Sequence, residues 1–452
     1  MKKQSSNSHQ IVVPEVVIAG GGWAGIAAAI RLAEEQIPVV LLEAEKQLGG
    51  RARCARFGNL RVDNGQHLIF GHYRYLLELT EKIKLPAEHF AVQKNFLLAV
   101  RNSSRSGFQL RARRLFAPWH LVLGLLAAKG LSWRDKSRIV AFWNRIASAF
   151  DDDLDDMNLL QLLQQTRQPE TLITRFWKPL CNHFLHAPVE LASAKLFATL
   201  VKTLLHQRSN SQLLFPKADL ATLIGEPAID YIESRRGKIS LNQTITRLNI
   251  KEGRVAGVTT ETDNIPCKHL ILALPYKTCA SLFLEHQALA ETSYRLDRLR
   301  STPMTTVYLQ YPGKARISGG LKGTATGVFS WFYDRRFCGQ PNLIAAISHD
   351  RQHLPYMNND EISRLCMQEA ARLFRHWPKP TSLLAIHEPE ANLCGTVEVE
   401  HNRPANRTAV PNCYLAGDYT DTGLPGTLES AVKSGMLCAE EVIREYSEHE
   451  RH

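Results

Sequence analysis

One stretch constrains this chain more than any other: Val16 to Arg51, VVIAGGGWAGIAAAIRLAEEQIPVVLLEAEKQLGGR. Its opening apolar run, Val16 to Ala19, is bounded by glycines and reads as a buried parallel strand. Gly20, Gly22 and Gly25 follow as G-x-G-x-x-G and lead directly into the helical pattern Ile26 to Glu35. The three glycines have separate tasks: a tight turn out of the strand, close approach of a pyrophosphate to the backbone, and close packing of helix on strand. The free N–H groups and positive dipole end of the helix then face a diphosphate. A second apolar strand, Val39 to Leu42, ends at Glu43, whose carboxylate is placed to accept hydrogen bonds from a ribose. Glycine-rich turns alone are common. Strand, turn, helix, strand and terminal acid in this order within ~30 residues form the dinucleotide fingerprint. An acid at position 43 favours an unphosphorylated ribose, as in FAD or NAD.

Two further segments point to the same ligand. Asp63-Asn64-Gly65-Gln66-His67, then Gly71, pack loop-forming residues around a glycine just after the dinucleotide unit, as in a segment wrapped on a ligand. Near the C-terminus, Cys413 to Ala416 reads as a short buried strand broken by Gly417-Asp418. A loop containing Asp421, Gly423, Pro425, Gly426 and Thr427 follows, then a helix from Leu428 to Glu445. A carboxylate at a strand end can hold ribityl hydroxyls, while the helix dipole stabilises negative charge on a reduced flavin ring.

The 452 residues suggest two or three domains' worth of core. The expected class is α/β: a Rossmann-type, two-part FAD-binding domain with an interleaved substrate domain of antiparallel sheet plus helices. The FAD-binding parts are expected at 15–72, 225–275 and 396–445. Residues 73–224 read as a mainly helical insertion, with apolar residues three or four apart over Leu121 to Ala128, Arg138 to Phe150, Leu159 to Gln165 and Ala194 to His206. Residues Gly237 to Pro275 return to strands in a meander. Residues 276–395 read as the substrate domain: strands Thr305 to Tyr311, Thr326 to Tyr333, Asn342 to Ser348 and Ser382 to His387, roofed by a helix from Asp360 to His376.

Several function classes are disfavoured. Nine cysteines occur without any C-x-x-C pair, which argues against a zinc site or a disulfide framework and for a reducing compartment. Asp151 to Asp153, with Asp155 and Asp156, are consecutive acids without matching carboxylates elsewhere, so they read as a solvated turn or cap and no metal site is expected. The opening MKKQSSNSHQ lacks an apolar h-region and reads as a disordered tail, not a secretory signal. No apolar run reaches 18 residues, so no membrane span is expected. A net charge of +11 suits nucleic acid or an anionic membrane surface. No recognition-helix or RNA-binding pattern supports the former, and nucleic acid is not expected as a partner.

Gly49-Gly50-Arg51 resembles the second glycine signature of flavoproteins that hold FAD permanently, which selects FAD over NAD. With Gly20 to Gly25, Glu43 and Leu415-Ala-Gly-Asp418, it resembles the amine-oxidase and phytoene-desaturase superfamily of FAD enzymes. More specific segments are similar to the hydroxysqualene dehydroxylases of bacterial hopanoid pathways. These are Asp63-Asn-Gly-Gln-His67, Ala117-Pro-Trp-His-Leu121, Gly130-Leu-Ser-Trp133, Phe176-Trp-Lys-Pro-Leu-Cys181, Trp331-Phe-Tyr-Asp-Arg335 and Gly417-Asp-Tyr-Thr-Asp-Thr-Gly-Leu-Pro425. The likeness runs from about residue 15 to 445. Tyr419 stands where Trp is usual, Gly426 where Ala is usual, and Glu388-Pro-Glu-Ala-Asn392 replaces an expected basic segment.

The resemblance implies FAD held through Gly20, Gly22, Gly25, Glu43, Gly50, Arg51, Gly417 and Asp418. It also implies a lipophilic substrate, hydroxysqualene, whose allylic hydroxyl is replaced by hydrogen to give squalene, the flavin carrying the redox step. An oxidative carotenoid-type desaturase on the same scaffold is the runner-up reading. An amine oxidase is weaker, since no aromatic pair flanks a lysine, and a flavin-free lipid chaperone would not need Glu43 or Gly417-Asp418. Protonating a hydroxyl requires an acid. His67 and Asp421 are the titratable groups nearest in sequence to the cofactor segments, and the ordinary pKa of histidine suits the task. A hydrocarbon substrate also implies work at a membrane surface, expected here as peripheral attachment to the inner face of the cytoplasmic membrane. Arg111 to Trp133, with Arg111, Arg113 and Arg114 before Phe116, Trp119 and Leu121 to Leu126, is the expected contact; the alternative is that this run packs in the core.

Overall fold

A computed structural model of the chain describes residues 14–93, 96–101, 107–149, 152–313 and 315–449. The expected N-terminal tail and Asp151 lie outside the described residues.

Five parallel strands form the first sheet, in the order Gly237–Ser240, Val39–Leu42, Val16–Ala19, His269–Leu272 and Cys413–Leu415. Val16–Ala19 is its centre, paired in register with Val39–Leu42 on one side and His269–Leu272 on the other. All four of its residues are fully buried. Because side chains alternate across a strand, Val16 and Ile18 enter one core while Val17 and Ala19 enter a second. The first core holds the Trp23–Glu34 helix; the second is closed by the meander Ile245–Lys251, Arg254–Thr260 and Asn264–Pro266. The Trp23–Glu34 helix is apolar nearly all round, since the sheet covers one side and the Leu428–His449 helix the other. That second contact is backbone-close: a Cβ on Gly435 would lie 2.0 Å from the Ala24 carbonyl oxygen.

A second, seven-stranded sheet runs in the order Ser382–Leu393, Ser301–Gln310, Leu343–Ser348, Trp331–Asp334, Leu321–Thr324, Leu97–Arg101, Gly107–Arg111. One face, with Val307, Leu309, Phe332, Ile344 and Ala346, packs under the Asn359–Leu373 helix. The other turns Met304, Tyr308, Trp331, Tyr333, Ala345 and Ile347 into the main core. The sheet roofed by helix is present, with the last strand extended to Leu393; the strand expected over Thr326 to Tyr333 is instead Trp331–Asp334, preceded by an unexpected strand at Leu321–Thr324.

The insertion carries strands that its helical reading did not include. Its helices include Arg74–Lys82, Trp119–Leu126, Trp133–Ala147, Leu159–Gln165, Lys178–Phe184 and Ala194–His206. Yet the hairpin Leu97–Arg101 with Gly107–Arg111 extends the second sheet, joined through Gly323↔Val100. Phe90–Gln93 and Ile69–Phe70 both pair with Leu213–Pro216. Ile69–Phe70 and Phe90–Gln93 have partners more than 100 residues away, and the hairpin meets its sheet only at Gly323, so neither association leaves a mark on the local sequence.

In the aspartate-rich turn Asp155 receives Lys195 at 2.5 Å and Asp156 lies 3.2 Å from His401 Nε2. All nine cysteines are free, and eight of them are buried.

Candidate cofactor and substrate site

The glycine loop is built by close backbone approach. Gly20 leaves the central strand at φ +102°, and a Cβ there would come within 2.5 Å of the Ala273 carbonyl oxygen. A Cβ on Gly25 would sit 1.9 Å from the Gly20 carbonyl oxygen, so only glycine lets the helix start against the strand. The second glycine signature docks on this loop, with Gly49 N–H donating to Gly21 O at 2.9 Å and Gly50 facing Gly22. Glu43 closes the other side. Its buried carboxylate accepts the Gly21 N–H at 2.6 Å and the Glu45 N–H at 2.8 Å. A carboxylate offers about four lone-pair directions, so acceptor capacity for a ribose hydroxyl remains.

From the far end of the sequence, Asp418 meets Arg51 in an ion pair, and Arg51 also donates to Ala391 O at 3.2 Å. Gly20, Gly22, Gly25, Glu43, Gly50, Arg51, Gly417 and Asp418 are thus brought to one end of the parallel sheet. The helix that starts there fits an anionic diphosphate. Gly22 is its N-cap with no side-chain capping bond, no acid lies in its first turn, and the Trp23 indole N–H is buried with no acceptor. A macrodipole end and uncapped donors of this kind suit a phosphate.

Some organising residues carried no readable signal. Arg403 is fully buried beneath the C-terminal loop and donates to the carbonyls of Asp418 (3.0 Å), Thr420 (2.6 Å) and Leu424 (2.6 Å), and to Glu400 (2.9 Å). Nothing around position 403 separates it from the many surface arginines. Glu429 is similar. It is buried, and its carboxylate accepts the N–H groups of Tyr75 (3.0 Å) and Leu76 (2.9 Å), pinning the cofactor loop to the first helix of the insertion. Burial raises its pKa from 4.5 to about 7, against those N–H donors. A folded-state pKa above the unfolded value contributes stability that is present below about pH 4.5 and lost as pH rises to about 7. A shift of this size corresponds to about 3 kcal/mol. Glu429→Gln is therefore expected to remove that much of the decline in unfolding free energy between pH 4.5 and 7, read by urea denaturation across this range.

The Asp63-to-His67 segment is clamped from the second sheet. Tyr308 hydroxyl donates to Asp63 O at 2.8 Å, buried Arg335 lies 3.6 Å from the Asp63 carboxylate, and Arg335 donates to Gln66 Oε1 at 2.8 Å. Asp63 also accepts the Leu220 N–H at 2.8 Å. A Cβ on Gly65 would collide with Met304 at 2.2 Å. Asp63 and Gln66 are therefore structural struts.

The two expected proton donors fare differently from expectation. His67 is half-buried, with Nε2 lacking a protein partner. Burial holds its imidazole below the ordinary histidine range; nearby Asp63 pulls it up, and Arg335 and Arg51 push it down. The imidazolium that a neutral-pH acid requires is then a minor species. Asp421 is exposed and caps its own turn, accepting the Gly423 N–H at 3.3 Å.

The Arg111 to Trp133 stretch divides between both of its readings. His120, Leu121, Gly124 and Leu125 pack inward, while Leu115, Phe116, Trp119, Leu123 and Trp133 face out beside exposed Arg111, Arg113 and Arg114. Phe116 and Trp133 are 72% and 71% exposed. No helix among the described residues is long and apolar enough to cross a membrane.

A parallel-sheet dinucleotide unit completed by C-terminal elements, with a second sheet and helical insertion, defines a flavin-dependent oxidoreductase. The chain belongs to the flavin containing amine oxidoreductase family, whose model matches residues 23–443, and its cofactor is FAD. It is similar to the hydroxysqualene dehydroxylase of Zymomonas mobilis, at 23% identity over 94% of this chain and 97% of that protein. It is also similar to the 15-cis-phytoene desaturase of Glycine max, at 21% identity over 95% of this chain and 79% of that protein. Among solved structures, cyclohexylamine oxidase from Brevibacterium oxydans shares the fold with a TM-score of 0.72 at 17% identity, covering 96% of this chain and 100% of that one.

Proposed function

We propose that this protein is a hydroxysqualene dehydroxylase, replacing the allylic hydroxyl of hydroxysqualene with hydrogen to give squalene. The observation that carries this reading is colinearity. Relatives named for that activity align over 97–98% of their own length, whereas the phytoene desaturases align over 78–80% of theirs.

Bound and reduced, FAD supplies the hydride equivalent for such a reaction. The chain's own residues supply the rest. The uncapped first turn at Gly22 to Gly25 and the adjoining Gly49-Gly50 hold the diphosphate, Glu43 the ribose, and Asp418, fixed by Arg51 and by Arg403 beneath it, the ribityl end. The aromatic face of Tyr308, Trp331 and Tyr333, covered by the insertion, excludes water from the reacting carbon.

Anaerobic, pre-reduced enzyme is expected to reoxidise on addition of hydroxysqualene and to release squalene, identified by mass spectrometry. Reduction of the oxidised enzyme by phytoene-like hydrocarbons, with new double bonds formed, would instead establish the desaturase reading.

A substrate of this kind partitions into lipid, and the outward row of Phe116, Trp119, Leu123 and Trp133 beside three arginines suits a peripheral contact with an anionic membrane. Each arginine near such a surface contributes about 1 kcal/mol. Changing Arg111, Arg113 and Arg114 to Gln is therefore expected to weaken binding to anionic liposomes about a hundredfold. Flotation at several salt concentrations measures this, and unchanged binding refutes the contact.

A further inference from the structure

Three histidines, none of them assigned a task above, meet where the insertion lies against the inner face of the second sheet. His183, near the end of the Lys178–Phe184 helix, stacks on Trp331 with ring centroids 4.4 Å apart, and its Nε2 is 3.4 Å from the Tyr333 hydroxyl. Three residues on, His186 faces His349, their centroids 4.8 Å apart. His349 follows the Leu343–Ser348 strand and shares the inward parity of Ala345 and Ile347.

Two features set the His186–His349 pair apart from core histidines satisfied by their surroundings. Nδ1 of each ring is buried and has no hydrogen-bond partner. Buried polar atoms are nearly always paired, so two orphans on touching rings call for a shared partner. His186 is also held at φ +52°, in the left-handed region that non-glycine residues seldom adopt, a conformation that collects at functional sites.

The pair adjoins the cofactor segments. Gly395 N–H donates to the carbonyl of Leu185, next to His186, at 2.8 Å. Leu393, two residues before Gly395, abuts Gly426 of the C-terminal loop, where an added Cβ would lie 2.7 Å away. His349 is hydrogen-bonded to the Pro303 backbone, beside Met304, which packs on Gly65.

We propose that His186 and His349 form the hydroxyl-binding subsite of the substrate pocket, one ring nitrogen donating to the hydroxyl oxygen and another accepting its hydrogen. This rests on the reading of the substrate as a hydrocarbon alcohol. Such a molecule offers one polar group, and the pair presents two unpartnered ring nitrogens for it on a face that also carries Trp331, Tyr333 and His183. Burial keeps the imidazoles uncharged, holding His186 well below the ordinary histidine range and His349 at about 4, so each ring carries one donor and one acceptor nitrogen at neutral pH. They are positioning residues, and no proton need leave them.

The test compares affinities of the oxidised holoenzyme for hydroxysqualene and squalene, read from perturbation of the flavin spectrum in detergent. Wild-type enzyme is expected to prefer the alcohol by about tenfold or more, the scale of a hydrogen bond whose loss leaves buried groups unpaired. In a His186→Phe/His349→Phe variant, which keeps ring volume, the preference is expected to vanish while squalene binds as well or better. Should that variant lose flavin, the single His186→Asn and His349→Asn variants are expected to keep flavin and part of the preference. An undiminished preference in a flavin-replete variant lacking both imidazoles, or none in the wild type, overturns the subsite. Failure of reduced wild-type enzyme to reoxidise with hydroxysqualene overturns the functional reading instead.

Discussion

A Gly22→Leu variant is expected to purify folded but colourless. The position is unusual among the loop glycines because the protein itself leaves room there: a Cβ on Gly22 would meet only the Gly50 Cα, at 3.7 Å, an ordinary contact. A side chain at this point fills the space between the two glycine signatures, where the helix N-terminus presents its uncapped donors. The clash is with the diphosphate and not with the fold. Gly25→Leu is the contrasting case, since its Cβ would press to 1.9 Å from a backbone oxygen and displace helix from strand. Flavin absorbance per protein, with circular dichroism on the same samples, separates the two. The Gly22 variant should lack flavin with native secondary structure, and the Gly25 variant should lose both. Full flavin occupancy in Gly22→Leu would refute the assignment of this loop to the cofactor.

The second large effect is expected at Arg335. Its guanidinium is 2% exposed and holds the equally buried Asp63 carboxylate, Gln66 and Gln340. Replacing it with Met leaves Asp63 charged and buried, with the Leu220 N–H as its remaining donor among the bonds described. Breaking a buried pair from one side costs about 3–5 kcal/mol, because the abandoned charge keeps its desolvation penalty. Removing both charges, as Asp63→Asn with Arg335→Met, is expected to restore a good part of that loss. Urea unfolding of the two variants measures it, and a loss below about 1 kcal/mol in Arg335→Met would show that the pair is not the clamp described here.

The stretch from Val16 to Arg51 was legible because most of its contacts are close in sequence. The strand, the helix, and Glu43 at the next strand's end interact within one local unit, and Gly25 answers a steric demand set by Gly20, although Gly20 itself is pressed by distant Ala273. The strands and the roofing helix of the second domain were legible for a related reason. A period of two or of 3.6 records which face is buried, as in Val307 and Leu309 against Tyr308.

Other features depended on distance or environment, and neither is written locally. Arg51 and Asp418 pair across 367 positions, and the hairpin from Leu97 to Arg111 finds its sheet only at Gly323. Arg403, Glu429 and the His186–His349 pair owe their roles to what the fold places around them. His67 shows the difference most directly. Residue type recommended it as an acid, since a solvated imidazole titrates near neutrality, but desolvation lowers its proton affinity, while Asp63 acts against Arg335 and Arg51. Residue type and spacing determined the cofactor unit, where the partners are neighbours along the chain. Only the tertiary structure decided which polar groups are buried, and against what, because the free energy of a charge or a hydrogen bond is set by surroundings assembled from the whole chain.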